Sequence, residues 1–205
     1  MVCALALAVG GCSEKPTIGM EAPAGRKGLS YFREVGPGMY CGGQPTAEGL
    51  AELRKLGVKT IIDLRTGMLG GCTPEDAPFE RVHIPVVPVY MEDQQVELFL
   101  RTVRDCDKPV YFHCLYGADR TGAMAAAYRM VVEGWEKDRA VKEMTGQGIP
   151  IGVLCHGLVA YVENLDVEAM RTRLKLHPPH TVDGAAILAS DAMKSEPTMT
   201  DIGGR

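Results

Sequence analysis

Pro109-Val110-Tyr111-Phe112 is an apolar run with the length and composition of a short buried strand, and Ala123-Met124-Ala125-Ala126-Ala127-Tyr128-Arg129-Met130 reads as a helix. Only the ten residues His113-Cys-Leu-Tyr-Gly-Ala-Asp-Arg-Thr-Gly122 separate the two. A strand that turns this abruptly into a helix opens its loop at a helix N-terminus. There the first backbone N–H groups lack intrahelical partners, and the helix dipole favours an anion. The spacing predicts an α/β chain in which this loop is an anion cradle.

The loop also carries reactive groups. Cys114 and Arg120 lie six positions apart. A phosphate in the cradle lies in line with the Cys114 sulfur, and Arg120 can hold two of its oxygens bidentately, which Lys cannot do. The same positive field is expected to favour the thiolate, the nucleophilic form. The alternative, a buried strand-end Cys beside a surface Arg, leaves His113, Gly117 and Thr121-Gly122 unexplained.

With those residues in place, the segment resembles the His-Cys-x5-Arg-[Ser/Thr] signature of the cysteine-dependent protein tyrosine phosphatase superfamily. The ending Gly117-Ala-Asp-Arg-Thr-Gly122 is similar to compact bacterial and atypical dual-specificity members. Met39-Tyr40-Cys-Gly-Gly-Gln-Pro-Thr46 and Val58-Lys-Thr-Ile-Ile-Asp-Leu-Arg65 resemble the N-terminal half of such enzymes. Tyr128-Arg129 through Gly134-Trp135, followed by Ala140 to Met144, resembles the helical part after the loop. The likeness covers about residues 30 to 168. It implies a single domain with a central, mostly parallel sheet and helices on both sides, and a phosphomonoester hydrolase working through a cysteinyl phosphate.

The pattern along the chain is consistent with that fold. Two short strands are expected at Ser30–Val35 and Met39–Cys41. A helix capped by Thr46 should run to about Leu56, with Leu50, Leu53 and Leu56 as its buried stripe and Gly57 as its stop. Val58–Leu64 and Arg81–Val87 read as strands, with a long loop over 66–78 between them. Val96, Phe99, Leu100 and Val103 mark an amphipathic helix over Gln94–Arg104. Two further helices are expected at about Glu136–Met144 and Gly152–Leu165. Strands alternating with helices predict a parallel sheet.

Of 205 residues, 46% are hydrophobic and 23% charged, enough for one globular core. The net charge of −4 offers no basic field for nucleic acid. Residues 1–11 are an apolar run too short to span a bilayer. They resemble the end of a secretory signal, and Val9-Gly10-Gly11-Cys12 resembles a bacterial lipoprotein cleavage box, although no Lys or Arg precedes the run. This divides the chain into a signal segment (1–11), a tether (12–28), a phosphatase domain (29–168) and a C-terminal tail (169–205). Cys12 would be acylated, anchoring an exported lipoprotein to a bacterial envelope; the alternative is a cytoplasmic protein. Four of the seven cysteines, Cys41, Cys72, Cys106 and Cys155, then remain as free thiols or as two disulfides. Zinc-type spacings are absent, so no metal is expected, and the chemistry requires no cofactor.

Within the implied reaction Cys114 is the nucleophile. Arg120 and the backbone N–H groups of Leu115, Tyr116, Gly117 and Ala118 hold the phosphoryl oxygens. His113 is expected to brace the loop and tune the thiolate. Thr121 places a hydroxyl within reach of the sulfur. The leaving oxygen needs a proton, and Asp119 and Asp93 are equal candidates, with Glu92 behind them. Asp93 also sits where an N-cap of its helix belongs. Arg65 is better explained by an ion pair with Asp63 or Glu80 than by catalysis, and Gln44 and Pro45 shape a rim. Leu115 to Asp119 contain no base, which disfavours polyanions and favours a phosphorylated protein or a small phosphomonoester. Inositol phosphates or phosphoinositides are the alternative substrate class. A phosphate-binding module without catalysis and a rhodanese-like sulfurtransferase are the rival functions.

Overall fold

The computed structural model of the chain describes residues 26–67, 79–146 and 156–176. The apolar N-terminal run, Cys12, Cys72, Cys155 and residues 177–205 lie outside the described residues, as does most of the loop expected over 66–78. In chain order the elements are β1 (Arg33–Gly36), β2 (Met39–Gly42), α1 (Ala47–Lys55), β3 (Thr60–Asp63), β4 (Glu80–His83), α2 (Asp93–Asp105), β5 (Val110–His113), α3 (Asp119–Val131), α4 (Lys137–Thr145), α5 (His156–Asn164) and α6 (Val167–Leu174).

The five strands form one sheet in the order β1-β2-β5-β3-β4, parallel throughout except for the β1–β2 hairpin. β5 is central, and all four of its residues are buried. That is the expected pattern for a parallel strand covered on both faces. Alternation then assigns the faces. Tyr111 and Ile61 join Leu29, Leu50, Leu53, Val58 and Phe79 beneath α1. Phe112 and Ile62 join the larger core contributed by the remaining helices, in which Phe112 meets Phe99 edge-on with ring centroids 5.0 Å apart. Burying Phe99 stabilises the α2–sheet contact by ~1.5–3 kcal/mol.

α1 begins as expected, with Thr46 Oγ1 accepting the Gly49 N–H at 3.2 Å, and Leu50 and Leu53 face inward. The expected stripe of α2 is also the buried one. Its N-cap, however, is Glu92 and not Asp93: the Glu92 N–H donates to Gln95 Oε1 at 2.9 Å, and Asp93 is the first helical residue. α3 is buried on nearly every side, because its alanines let the sheet and the surrounding helices approach closely.

The domain boundary expected at 168 falls inside a helix. α6 runs Val167–Leu174, begins with Asp166 Oδ1 accepting the Ala169 N–H at 2.9 Å, and buries Met170, Arg171 and Leu174. Arg171 crosses to the C-terminal end of α3, donating from Nε to the Val131 carbonyl at 2.9 Å and from Nη2 to the Met130 carbonyl at 2.8 Å. A cation placed on otherwise unpaired helix carbonyls complements the dipole and satisfies both partners. The packed unit therefore extends through at least Leu174.

Candidate active site

The C-terminal ends of the parallel strands converge on one edge of the sheet, where open α/β folds place their sites. There β5 runs out at His113, the loop 114–118 turns, and α3 opens at Asp119. Gly117 adopts φ +83°, and a Cβ on it would lie 2.4 Å from both Gly42 C and Gly43 N. The loop is therefore pressed against the backbone that follows β2. Gln44 N–H donates to the Leu115 carbonyl at 3.1 Å, and the Tyr111 hydroxyl donates to the Gly43 carbonyl at 2.6 Å, securing that backbone from below.

Cys114 is 2% exposed, and its sulfur accepts the Gly117 N–H at 3.3 Å. Its own N–H donates to Thr121 Oγ1 at 3.0 Å, and the Thr121 hydroxyl donates to the Gly42 carbonyl at 3.3 Å. Thr121, expected to reach the sulfur, thus spends its hydroxyl on the backbone of Cys114 and of Gly42 at the end of β2. Arg120 is also buried, and its Nη1 donates to the Val86 carbonyl at 3.4 Å, which ties the loop after β4 to the site. Leu115 and Tyr116 point their side chains outward, while Gly117 and Ala118 form the turn into α3.

His113 Nδ1 lies 3.0 Å from the Cys114 carbonyl. A carbonyl only accepts, so Nδ1 carries the proton. Burial pushes the imidazole down to about 4, against the opposing attraction of Asp63. His113 is therefore a neutral donor near pH 7, and its hydrogen bond goes to the Cys114 carbonyl and not to the sulfur. Asp63 is itself engaged by Arg65, whose Nε and Nη2 donate to its two oxygens at 2.9 to 2.6 Å. The ion pair expected for Arg65 is formed, with Asp63 as its partner. Burial pushes the neighbouring thiol of Cys41 up to about 12, so it stays protonated at neutral pH. Cys41, Cys106 and Cys114 are all free thiols, so no disulfide joins Cys41 to Cys106.

The two carboxylate candidates are distinguished by their surroundings. Asp93 accepts the Tyr161 hydroxyl on Oδ1 at 2.9 Å and pairs through Oδ2 with Arg173 Nη2 at 2.8 Å. It anchors α5 and α6 to the start of α2. Asp119 is half-buried and occupies the first position of α3, adjacent in sequence to Arg120. Glu92 is exposed and caps α2.

Arg33 on β1 escaped the sequence reading. Its Nη1 reaches the Gly117 carbonyl at 3.5 Å, and its buried Nε has no hydrogen-bond partner. A cation on the carbonyl side of the Gly117–Ala118 peptide favours the orientation that this peptide adopts in the loop. Nothing local to Arg33 signals this, because the contact depends on the β1–β2 hairpin. Among the described residues, no group of three or more metal-ligating side chains assembles, and no helix is long and apolar enough to cross a membrane.

The arrangement has relatives. A family profile described as DSP-PTPase phosphatase fused to NAD+ kinase matches residues 33–149. The dual specificity protein phosphatase TpbA of Pseudomonas aeruginosa is 34% identical over 149 residues, covering 70% of this chain and 66% of that protein. The chain therefore spans slightly less than two thirds of this relative's length. The chloroplastic NAD kinase 2 of Arabidopsis thaliana is 36% identical over 110 residues, 49% of this chain and 11% of its own length. The crystal structure of P. aeruginosa TpbA superposes with a TM-score of 0.65 at 30% identity, covering 75% of this chain and 96% of that one. A Cys-to-Ser variant of TpbA, solved in complex with phosphotyrosine, gives 0.63 at 29% identity, covering 75% and 95%. The mostly parallel sheet, the loop between β5 and α3, and these matches agree, and the chain belongs to the DSP-PTPase family of cysteine-dependent, dual-specificity-type phosphatases.

Proposed function

We propose that the chain hydrolyses phosphomonoesters on protein side chains, phosphotyrosine among them, through a phosphocysteine at Cys114. The observation that carries this reading is the buried sulfur of Cys114 facing the Gly117 N–H at 3.3 Å, at the mouth of a helix whose second residue is Arg120. The phosphotyrosine complex of TpbA supports the substrate class. Cys114 Sγ attacks phosphorus, the P–O bond to the substrate breaks, and the leaving oxygen takes a proton. Arg120 and the loop amides neutralise the equatorial oxygens as charge shifts. Water then attacks phosphorus, the S–P bond breaks, and inorganic phosphate leaves with the thiolate restored. Asp119 is the proton donor in the first step and the acceptor in the second. This assignment is supported by its position beside Arg120 at the start of α3.

Acid-quenched incubation with a ³²P-labelled phosphotyrosyl peptide tests the proposal. Label should appear on Cys114 and be lost in Cys114→Ser. Label on another residue, or turnover by Cys114→Ser, would exclude the mechanism. A parallel inositol hexakisphosphate assay addresses the alternative substrate class, and faster turnover there than on the peptide would displace the protein-substrate reading. Acylation at Cys12 belongs to the same proposal and is supported by Val9-Gly10-Gly11-Cys12. Mass spectrometry of the native N-terminus decides it, since an unmodified Met1 is incompatible with it.

A further inference from the structure

Large apolar side chains are exposed beside the phosphate cradle. Among the described residues seven large hydrophobic side chains are exposed, and five of them lie on two loops of the site: Leu115 and Tyr116 on the loop that starts at Cys114, and Val87, Val89 and Tyr90 on the loop after β4 that Arg120 contacts at Val86. Their exposures run from 41% for Val87 to 65% for Tyr116. Singly exposed apolar residues are ordinary; a cluster on both sides of a site is the feature of a surface that is covered in use.

The two walls have separate supports. On one side the loop after β4 touches Arg120 through the Val86 carbonyl, and the turn Val87–Tyr90 closes on itself, with the Tyr90 N–H 3.4 Å from the Val87 carbonyl. The tip of that turn rests on the start of α5, where a Cβ on Gly157 would lie 2.1 Å from the Val89 carbonyl. It is held out by backbone and cannot collapse onto the core. On the other side the Leu115 carbonyl is fixed by the Gln44 N–H, and the Tyr116 backbone abuts Gly43, so both side chains are directed to solvent. Neither wall presents a Lys or Arg in these five positions.

We infer that this rim selects phosphotyrosyl segments whose residues next to the phosphotyrosine are apolar or aromatic. The inference rests on the phosphatase reading and adds the sequence context of the substrate. With the phosphate on Cys114, the flanking residues of an extended peptide must cross Val87–Tyr90 on one side and Leu115–Tyr116 on the other. Apolar side chains there bury the rim, whereas acidic ones lose hydration without meeting a Lys or Arg at these five positions.

Two phosphotyrosyl peptides of equal length test this, one with Leu at the positions flanking the phosphotyrosine and one with Glu, alongside phenyl phosphate. The Leu peptide should exceed the Glu peptide in kcat/KM by about tenfold, mainly through KM. In Val89→Ser and Tyr90→Ser the ratio between the two peptides should fall at least threefold by the same reasoning. Because the readout is a ratio within each variant, a general loss of activity cancels. Equal kcat/KM for the two peptides, or a ratio unchanged in both variants, overturns the inference while phenyl phosphate turnover leaves the phosphatase reading standing. No turnover of phenyl phosphate removes that reading and the inference with it.

Discussion

Replacing Gly117 by Ala isolates what the loop's shape contributes to catalysis. The residue sits at φ +83°, where a non-glycine side chain costs ~1–2 kcal/mol. The new Cβ would also lie 2.4 Å from Gly42 C and Gly43 N, atoms of a backbone that the Tyr111 and Gln44 hydrogen bonds hold in place. Relieving such overpacking costs a further ~1–3 kcal/mol, so stability should fall by about 2–5 kcal/mol in total. The relief must move the peptide that donates the Gly117 N–H toward the Cys114 sulfur, which removes one donor from the cradle. Loss of one such donor lowers kcat by ~10²–10³-fold. Gly57→Ala is the control. Its φ is +74°, but a Cβ there meets nothing within 4 Å, so only the backbone penalty of ~1–2 kcal/mol applies and kcat should stay near wild type. Urea unfolding gives the stabilities, and phenyl phosphate turnover well below both melting temperatures gives kcat. If Gly117→Ala keeps kcat within threefold of the Gly57→Ala control, the cradle geometry is not what drives the reaction.

Three further outcomes are expected. Because burial lowers His113 from 6.5 to about 4, its neutral form is favoured in the fold, so the unfolded chain binds more protons between those values. The associated stability is full above pH 6.5 and is lost as pH falls to about 4, roughly 3 kcal/mol in all. Between pH 7 and pH 4.5, urea unfolding should weaken more for wild type than for His113→Gln; parallel slopes would show that the buried imidazole does not couple to folding. Asp119→Asn should lower kcat on a poor-leaving-group aryl phosphate by about 10²-fold or more and leave stability nearly intact. Asp93→Asn should instead leave kcat near wild type and loosen α5 and α6 by no more than ~1 kcal/mol, because the Arg173 pair it removes is exposed, and the reverse pattern would exchange the two roles. Arg33→Met should reduce kcat several-fold while leaving stability unchanged or slightly raised, since the substitution removes a buried donor without a partner. A variant that unfolds more easily yet turns over normally would make Arg33 purely structural.

What could be read along the chain was what is local. The strand–loop–helix around Cys114 follows from an apolar run, a glycine and a helix start that are consecutive. The α1 cap at Thr46 and the stripe Val96, Phe99, Leu100 and Val103 obey short-range rules for the same reason. The choice between Glu92 and Asp93 as the cap of α2 was short-range as well, although two adjacent acidic residues left it open. It turned on Gln95, which answers the Glu92 N–H with its own carbonyl oxygen while its amide reaches back to Pro85. The helix Val167–Leu174 was hidden because one of its buried positions is an arginine, and a buried arginine makes sense only once the C-terminal carbonyls of α3 are beside it. Roles that depend on distant partners could be assigned only in the folded chain. Thr121 serves Gly42 and Cys114, Arg33 reaches Gly117 from an edge strand, and Asp93 is occupied by Tyr161 and Arg173. Residue order carries periodicity, caps and the spacing of a nucleophile from its cation, because each is set within a few bonds or one helical turn. Strand order, the apolar walls beside the Cys114 loop and the engagement of Asp93 by Tyr161 and Arg173 arise from contacts between segments far apart in the chain, which exist only when the sheet has assembled.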